Sequence, residues 1–232
     1  MMEVISLYLI FLIIISEIGT SFVMLTAFRL TIGQTPWLPR HSYCDNCHQQ
    51  LHWWQLIPIL GYVIQRGNCH FCRQVINPFI FGSELVIAVA TSALANYHLL
   101  HDSELVLLLL TLAFLSTTDF YDQFIYCWGL LPLILLIPLT QSCWFRFSCY
   151  HVSILLVALL FLIMLSRGLG GLGSGDVELI TILLLIMGPC QAALIVLIAS
   201  VLMLGWWLIK VHPGRQMPFF PALAVGILFV VP

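Results

Sequence analysis

Residues 4–28 read VISLYLIFLIIISEIGTSFVMLTAF, a run of 25 residues whose single charge is Glu17. A helix needs roughly 20 mostly apolar residues to cross the hydrocarbon core of a bilayer, and this run exceeds that length. It has no basic segment ahead of it and no small-residue cleavage site behind it, so it reads as a retained anchor and not a signal peptide. Further apolar runs follow at 79–100, 105–118, 125–139, 152–166, 177–188, 192–209 and 219–231. The rest of the chain agrees. It has 232 residues, 61% of them hydrophobic and 8% charged, with ten acidic and eight basic side chains giving a formal charge of -2. Soluble domains carry about 25% charged residues. This balance excludes a soluble globule, a secreted disulfide scaffold and a disordered chain, and it offers nucleic acid no basic surface. The expectation is an all-α polytopic membrane protein of about eight transmembrane helices, embedded in the lipid bilayer.

Arginine and lysine placement sets the orientation. Arg29, Arg40, Arg66 and Arg73 flank or lie in the one long polar segment, and eight spans put Arg167, Lys210 and Arg215 on the same side. Only Arg146 falls opposite. By the positive-inside rule that segment is cytoplasmic. The chain then divides into a first helix (1–30), a cytoplasmic loop (31–78) and a seven-helix membrane domain (79–232).

The loop holds Cys44-Asp-Asn-Cys47 and, after 21 intervening residues, Cys69-His-Phe-Cys72. Two C-x-x-C knuckles in a reducing compartment fit one tetrahedral Zn²⁺ with four thiolates. His48 and His70 each follow a cysteine directly, so a mixed Cys/His set stays open, and metal-free structural thiols are the plainer alternative. Four protein ligands leave no open position, so such zinc is structural. Trp37, Trp53 and Trp54 in the same loop have the character of interfacial anchors.

Carboxylates at membrane depth are costly and mark function by default. Glu17, Glu84, Asp119, Asp122, Asp176 and Glu178 all lie in or at the ends of spans. The topology brings Asp119 and Asp122, closing the third span, to the same face as Asp176, opening the sixth. Residues 168–175 contain five glycines, which permit close approach of another chain to Asp176. The plainer alternative is a flexible loop with an acidic helix cap. Two carboxylates brought close share one proton, so one can act as base on a water while the other polarises a carbonyl.

These residues resemble a known family. Ser21–Leu30, the twin knuckles, Trp54 with Pro58, Pro78 with Glu84-Leu85, Asp119 with its following segment, Gly173-Ser-Gly-Asp176 and Pro218-Phe-Phe-Pro-Ala-Leu are similar, in order, to the motifs of the prepilin peptidases. These are GxGD-type aspartic proteases of the cytoplasmic membrane. The resemblance implies cleavage of the basic leader from type IV prepilin or pseudopilin precursors at the cytoplasmic face. It implies Asp119 and Asp176 as the catalytic pair, no cofactor for proteolysis, and Gly173, Gly175 and Glu84 as substrate-binding or supporting residues. It also implies N-methylation of the new terminus with S-adenosylmethionine in many members. The compact chain is closest in character to the competence-type members. Departures from the pattern are Met24 in place of an asparagine, Tyr121 in place of the second acid of the first motif (Asp122 follows it), and Glu178 in place of a lysine. Two readings outside the family are a small ion- or proton-coupled transporter and a non-catalytic zinc-bearing adaptor.

Overall fold

The computed structural model describes residues 2–36, 41–124, 126–136, 149–168, 173–209 and 218–230. Among these the chain is helical, with two isolated β-bridges and no named strand. The helices are α1 (Met2–Thr31), α2 (Leu60–Ile64), α3 (Pro78–Leu94), α4 (Leu99–Asp122), α5 (Leu131–Leu136), α6 (Cys149–Gly168), α7 (Ser174–Met187), α8 (Pro189–Ile209) and α9 (Phe220–Val230). Short 3₁₀ turns precede α2 at Trp53–Leu56 and α5 at Cys127–Leu130. The chain forms two compact units, Met1–Phe114 and Leu115–Pro232, whose boundary falls inside α4.

Among the described residues three helices are long and apolar enough to cross a bilayer: Ile5–Thr31, Leu99–Asp122 and Pro189–Ile209. Pro78–Leu94, Ser153–Gly168 and Phe220–Val230 are apolar but shorter. The expected fourth span, 125–139, is represented in the described residues by the 3₁₀ turn and the six-residue α5. Arg40, Trp37, Arg146, Lys210, His212 and Arg215 lie outside the described residues.

Which side chains are buried is the telling feature. In α1 the buried residues are Leu12, Ser16, Glu17, Thr20, Met24, Ala27 and Arg29, while Leu7, Phe11, Ile14, Ile18 and Phe22 are exposed. The helix hides its small and polar residues and shows its large apolar ones, the reverse of a helix facing water. Small and hydroxyl residues at helix contacts are the packing chemistry of membrane bundles. In α3, Glu84, Ala90 and Thr91 are buried and Val86 and Val89 exposed; in α8, Ala192, Ile195 and Ala199 are buried and Leu197 and Val201 exposed.

The first unit is organised by the pairing of α1 with α3. The Thr91 hydroxyl donates to Ser16 Oγ at 3.2 Å, and the Ser83 hydroxyl donates to Met24 Sδ at 3.1 Å. Met24 is 2% exposed, so the residue that departs from the family pattern is a packing residue. Glu17 lies on the same seam, buried, and neither carboxylate oxygen has a hydrogen-bond partner among the described residues.

Two helix boundaries differ from the sequence expectation. The run expected to continue to residue 100 stops at Leu94, and the next helix starts at Leu99, taking in residues expected to be loop. The cause is Asp102. Its carboxylate accepts from the Asn96 backbone N–H at 2.9 Å and from the Tyr8 hydroxyl at 2.8 Å. Tyr97 between them takes a left-handed φ of 60°, which no helix accommodates. The second unit packs α6 on α7, α7 on α8 and, most extensively, α8 on α9. At that last contact a Cβ on Gly226 would sit 2.8 Å from the Ile195 carbonyl oxygen, so only glycine permits the approach.

Two stability outcomes follow. Gly226→Ala should cost about 1–3 kcal/mol through overpacking against backbone, read as a lower thermal midpoint in detergent. Glu17→Leu should raise the midpoint, since it removes a buried polar group whose lack of a partner costs about 1–3 kcal/mol.

Candidate active site and metal centre

Within the second unit, α4 delivers Asp119 and the N-terminus of α9 meets it. Asp119 is 8% exposed, and its Oδ2 accepts from the Phe220 backbone N–H at 2.8 Å. The Phe219 N–H is a second donor to the same carboxylate. The first amides of a helix have no intrahelical acceptor. Pro221, in the second position of α9, has no N–H of its own, so the amides at 219 and 220 are the ones presented. They aim the positive end of the helix at Asp119.

Asp176 is the third residue of α7, and its Oδ2 accepts from the Gly173 N–H at 3.3 Å. The cap alternative is therefore part of the structure: the side chain closes the first turn of its own helix. Gly173 has an ordinary extended φ of -67°, so glycine is not there for backbone freedom. Room is the reason. A Cβ on it would stand 3.2 Å from Asp176 Oδ2 and crowd the carboxylate. Residues 169–172, the rest of the glycine-rich segment, lie outside the described residues.

The two aspartates come from separate helices and lie within Coulombic range of one another. Asp122, one turn beyond Asp119, is exposed at the end of α4, and Glu178 is exposed on α7. Sequence reasoning missed the Phe219 and Phe220 amides. The signal was the Pro218-Phe-Phe-Pro221 stretch, read only as a motif and not as a helix start.

Glu84 belongs to the first unit and has a supporting task there. It is 5% exposed, accepts from the Ile59 N–H at 2.8 Å, and takes the Ser21 hydroxyl as a second donor. Ile59 has a left-handed φ of 60°, unfavourable for a β-branched residue, so the Glu84 bond holds a strained corner at the start of α2.

The four loop cysteines form one cluster, all four sulfurs lying within 4.8 Å of one another. The two knuckles repeat one construction. Cys44 N–H donates to Gln49 O and His48 N–H to Cys44 O; Cys69 N–H donates to Gln74 O and Arg73 N–H to Cys69 O. His48 and Arg73, each directly after the second cysteine, have φ of 55° and 60°. Bridges Tyr43↔Gln50 and Asn68↔Val75 close the two turns. Tetrahedral Zn–S bonds of about 2.3 Å put ligand sulfurs about 3.8 Å apart. Cys44 Sγ and Cys72 Sγ are 3.8 Å apart, so the donor set fits Zn²⁺. The mixed alternative falls away: the His48 ring lies against Tyr43, and the His70 ring against Trp54 and Phe71. The Asn46 side-chain amide, with the Gln74 backbone, lowers the Cys72 thiol to about 6, while burial raises Cys44 to about 11.

The profile of the Bacterial Peptidase A24 N-terminal domain matches residues 14–98, and that of the Type IV leader peptidase family matches residues 106–208. A prepilin leader peptidase/N-methyltransferase of Neisseria gonorrhoeae is 30% identical over 202 residues, 80% of this chain and 68% of the relative. The chain belongs to the type IV leader peptidase family. Proteins of the same description from Burkholderia pseudomallei (strain K96243) and Pseudomonas putida are 31% and 30% identical, over 82% and 80% of this chain. The chain spans 65% of the Burkholderia relative's length and 69% of the Pseudomonas one's. No solved structure matches the chain. The aspartates fall inside the peptidase match, and the cysteine cluster and Glu84 inside the N-terminal match.

The metal reading carries its own test. Purified chain should hold one zinc per molecule by atomic emission, and Cys69→Ser should lose it at neutral pH. Chelation of wild type should melt the 41–76 segment, seen as faster amide hydrogen exchange there, because binding energy at such sites is folding energy.

Proposed function

We propose that this protein is a membrane-embedded aspartic endopeptidase that removes the basic leader of type IV prepilin or pseudopilin precursors, with Asp119 and Asp176 as the catalytic pair. The observation that carries the reading is the meeting of these two carboxylates, from separate helices of the second unit, within electrostatic range of each other. A leader peptidase family profile across the same residues supports it. On this reading the chain makes eight spans, the knuckle loop and both aspartates face the cytoplasm, and the pseudopilins of a DNA-uptake machine are the substrate subclass.

The chemistry needs no metal. The ionised member of the pair takes a proton from a water, whose oxygen attacks the scissile carbonyl carbon. The protonated member donates to the carbonyl oxygen as the tetrahedral species forms. Collapse returns the carbonyl, breaks the C–N bond and leaves the proton on the departing amine. The Phe219 and Phe220 amides hold Asp119 in one orientation throughout. Gly173 keeps the approach to Asp176 open and side-chain-free. The cysteine cluster folds the loop and stands outside the reaction.

The relatives' names add methyl transfer, for which S-adenosylmethionine would be the donor. Met24 offers no hydrogen-bonding amide at the position where the family resemblance places one. Its buried sulfur is occupied by Ser83. At that position the chain presents a packed thioether in place of an amide.

The test is cleavage of a purified pseudopilin precursor in detergent, followed by product mass. Asp119→Asn and Asp176→Asn should each lower turnover at least about a thousandfold. Asp122→Asn, exposed at the end of α4, should stay close to wild type. Cleavage surviving in either of the first two would overturn the pair, and wild type inert on every precursor would return transport as the reading. Adding S-adenosylmethionine to the same assay reads methylation as a gain of one methylene in product mass.

A further inference from the structure

We infer that the second knuckle and α2 form a bilayer-seating surface that takes an anionic phospholipid headgroup between Arg66 and Arg73. A concavity of about 280 Å³ opens there, with Ile64, Arg66, Asn68, His70 and Arg73 in its wall. Arg66 and Arg73 stand in left-handed turns, φ 52° and 60°, at either end of the hairpin that the Asn68↔Val75 bridge closes. Among the described residues no carboxylate lies within 4 Å of either guanidinium; the one acid–cation approach of that length is His101 with Asp102. Two exposed arginines and a histidine thus line one hollow with no counter-ion among the described residues.

The second observation is apolar and independent of the charge. Leu60, Val63 and Ile64 share one face of α2 at i, i+3 and i+4, and are 56%, 55% and 60% exposed, while Gly61 on the other face is buried. The 3₁₀ turn packed on α2 adds Trp53 at 78% and Leu56 at 45%. Ile64 belongs to both features, ending the apolar face and lining the hollow. An apolar face this open, ending in two arginines, has the make-up of an element lying in the headgroup region.

Charge complementarity selects the occupant. The leader of the proposed substrate is basic and would be repelled by Arg66 and Arg73. A free inorganic anion would use the arginines and leave the apolar face in water. An anionic phospholipid uses both, its phosphate taking the planar guanidinium forks and its acyl chains covering Leu60, Val63 and Ile64. This rests on the membrane reading above but not on the catalytic pair.

The experiment uses the full chain reconstituted in vesicles of phosphatidylcholine alone or mixed with phosphatidylglycerol, with amide hydrogen exchange followed across residues 53–76. Exchange should slow in the mixed vesicles, by about fivefold for each arginine engaged. Arg66→Gln with Arg73→Gln should abolish the difference while zinc content stays at the wild-type value. Ile64→Asn, which leaves the arginines in place, should weaken it. Equal exchange in the two vesicle types would overturn the inference. So would equal slowing by inorganic phosphate in detergent, which would assign the hollow to a free anion. Leader cleavage by the same preparation in detergent, where no bilayer exists, reports on the catalytic reading separately.

Discussion

A carboxylate inside an apolar helical protein must find its hydrogen-bond donors in the protein, and that constraint orders this structure. Four acids solve it in the same way, by accepting backbone N–H groups from places where the helix ladder has run out. Asp102 takes Asn96, Glu84 takes Ile59, Asp119 takes Phe220 and Asp176 takes Gly173. Each bond satisfies a backbone donor that the helix ladder leaves over. Each also fixes a junction: the α3–α4 turn, the corner before α2, the start of α9 and the start of α7. The chain has few charges, and these four are spent on holding helix ends. Glu17 is the exception, buried with no donor among the described residues.

The same constraint explains how a structural device and a candidate catalytic device coincide. A helix N-terminus supplies preorganised N–H groups, and a carboxylate held by them has a fixed direction without needing a cationic partner. Asp119 is held that way by α9, from 101 residues away, and Asp176 by the first turn of its own helix. An arginine in either place would neutralise the acid and remove its use as a base. Backbone amides orient the group and leave it a titrating acid. Gly173 fits this account, because it donates its N–H while contributing no side chain to crowd Asp176.

What was legible in the sequence follows from the range of the interactions. The cysteine cluster was plain, since each knuckle is a local turn whose construction is complete within seven or eight residues, and the spacing states it. The placement of Asp176 at a helix start was also local. The end of α3 was not, because it depends on Asp102, eight residues later and inside the next helix. Hydropathy carries no trace of that bond, so the apolar run was expected to continue to residue 100. The partner of Asp119 was out of reach for the same reason. Only the fold shows that Phe219 and Phe220 open a helix, and that their amides point at an acid on α4. The burial pattern of α1 adds something hydropathy cannot: the polar stripe Ser16, Thr20 faces protein, and the apolar stripe Leu7, Phe11, Ile18 faces outward.

The loop poses the opposite problem, since it has neither a long helix nor a core of its own. Among the described residues its buried anchors are Gln55, Gly61, Gly67 and Cys69, with the Glu84 bond to Ile59. Four sulfurs held within 4.8 Å of one another cannot all carry charge without a cation, and the unequal thiols reflect that. Cys72, held low by Asn46 and Gln74, is the first to ionise; Cys44, half-buried, is held high by desolvation. A divalent ion reverses the balance, because each thiolate then gains a bond and the like-charge cost is cancelled. The twin turns bring the sulfurs to the edge length of a zinc tetrahedron. With such an ion bound, the two short hairpins would become one platform, with Arg66 and Arg73 around a single hollow.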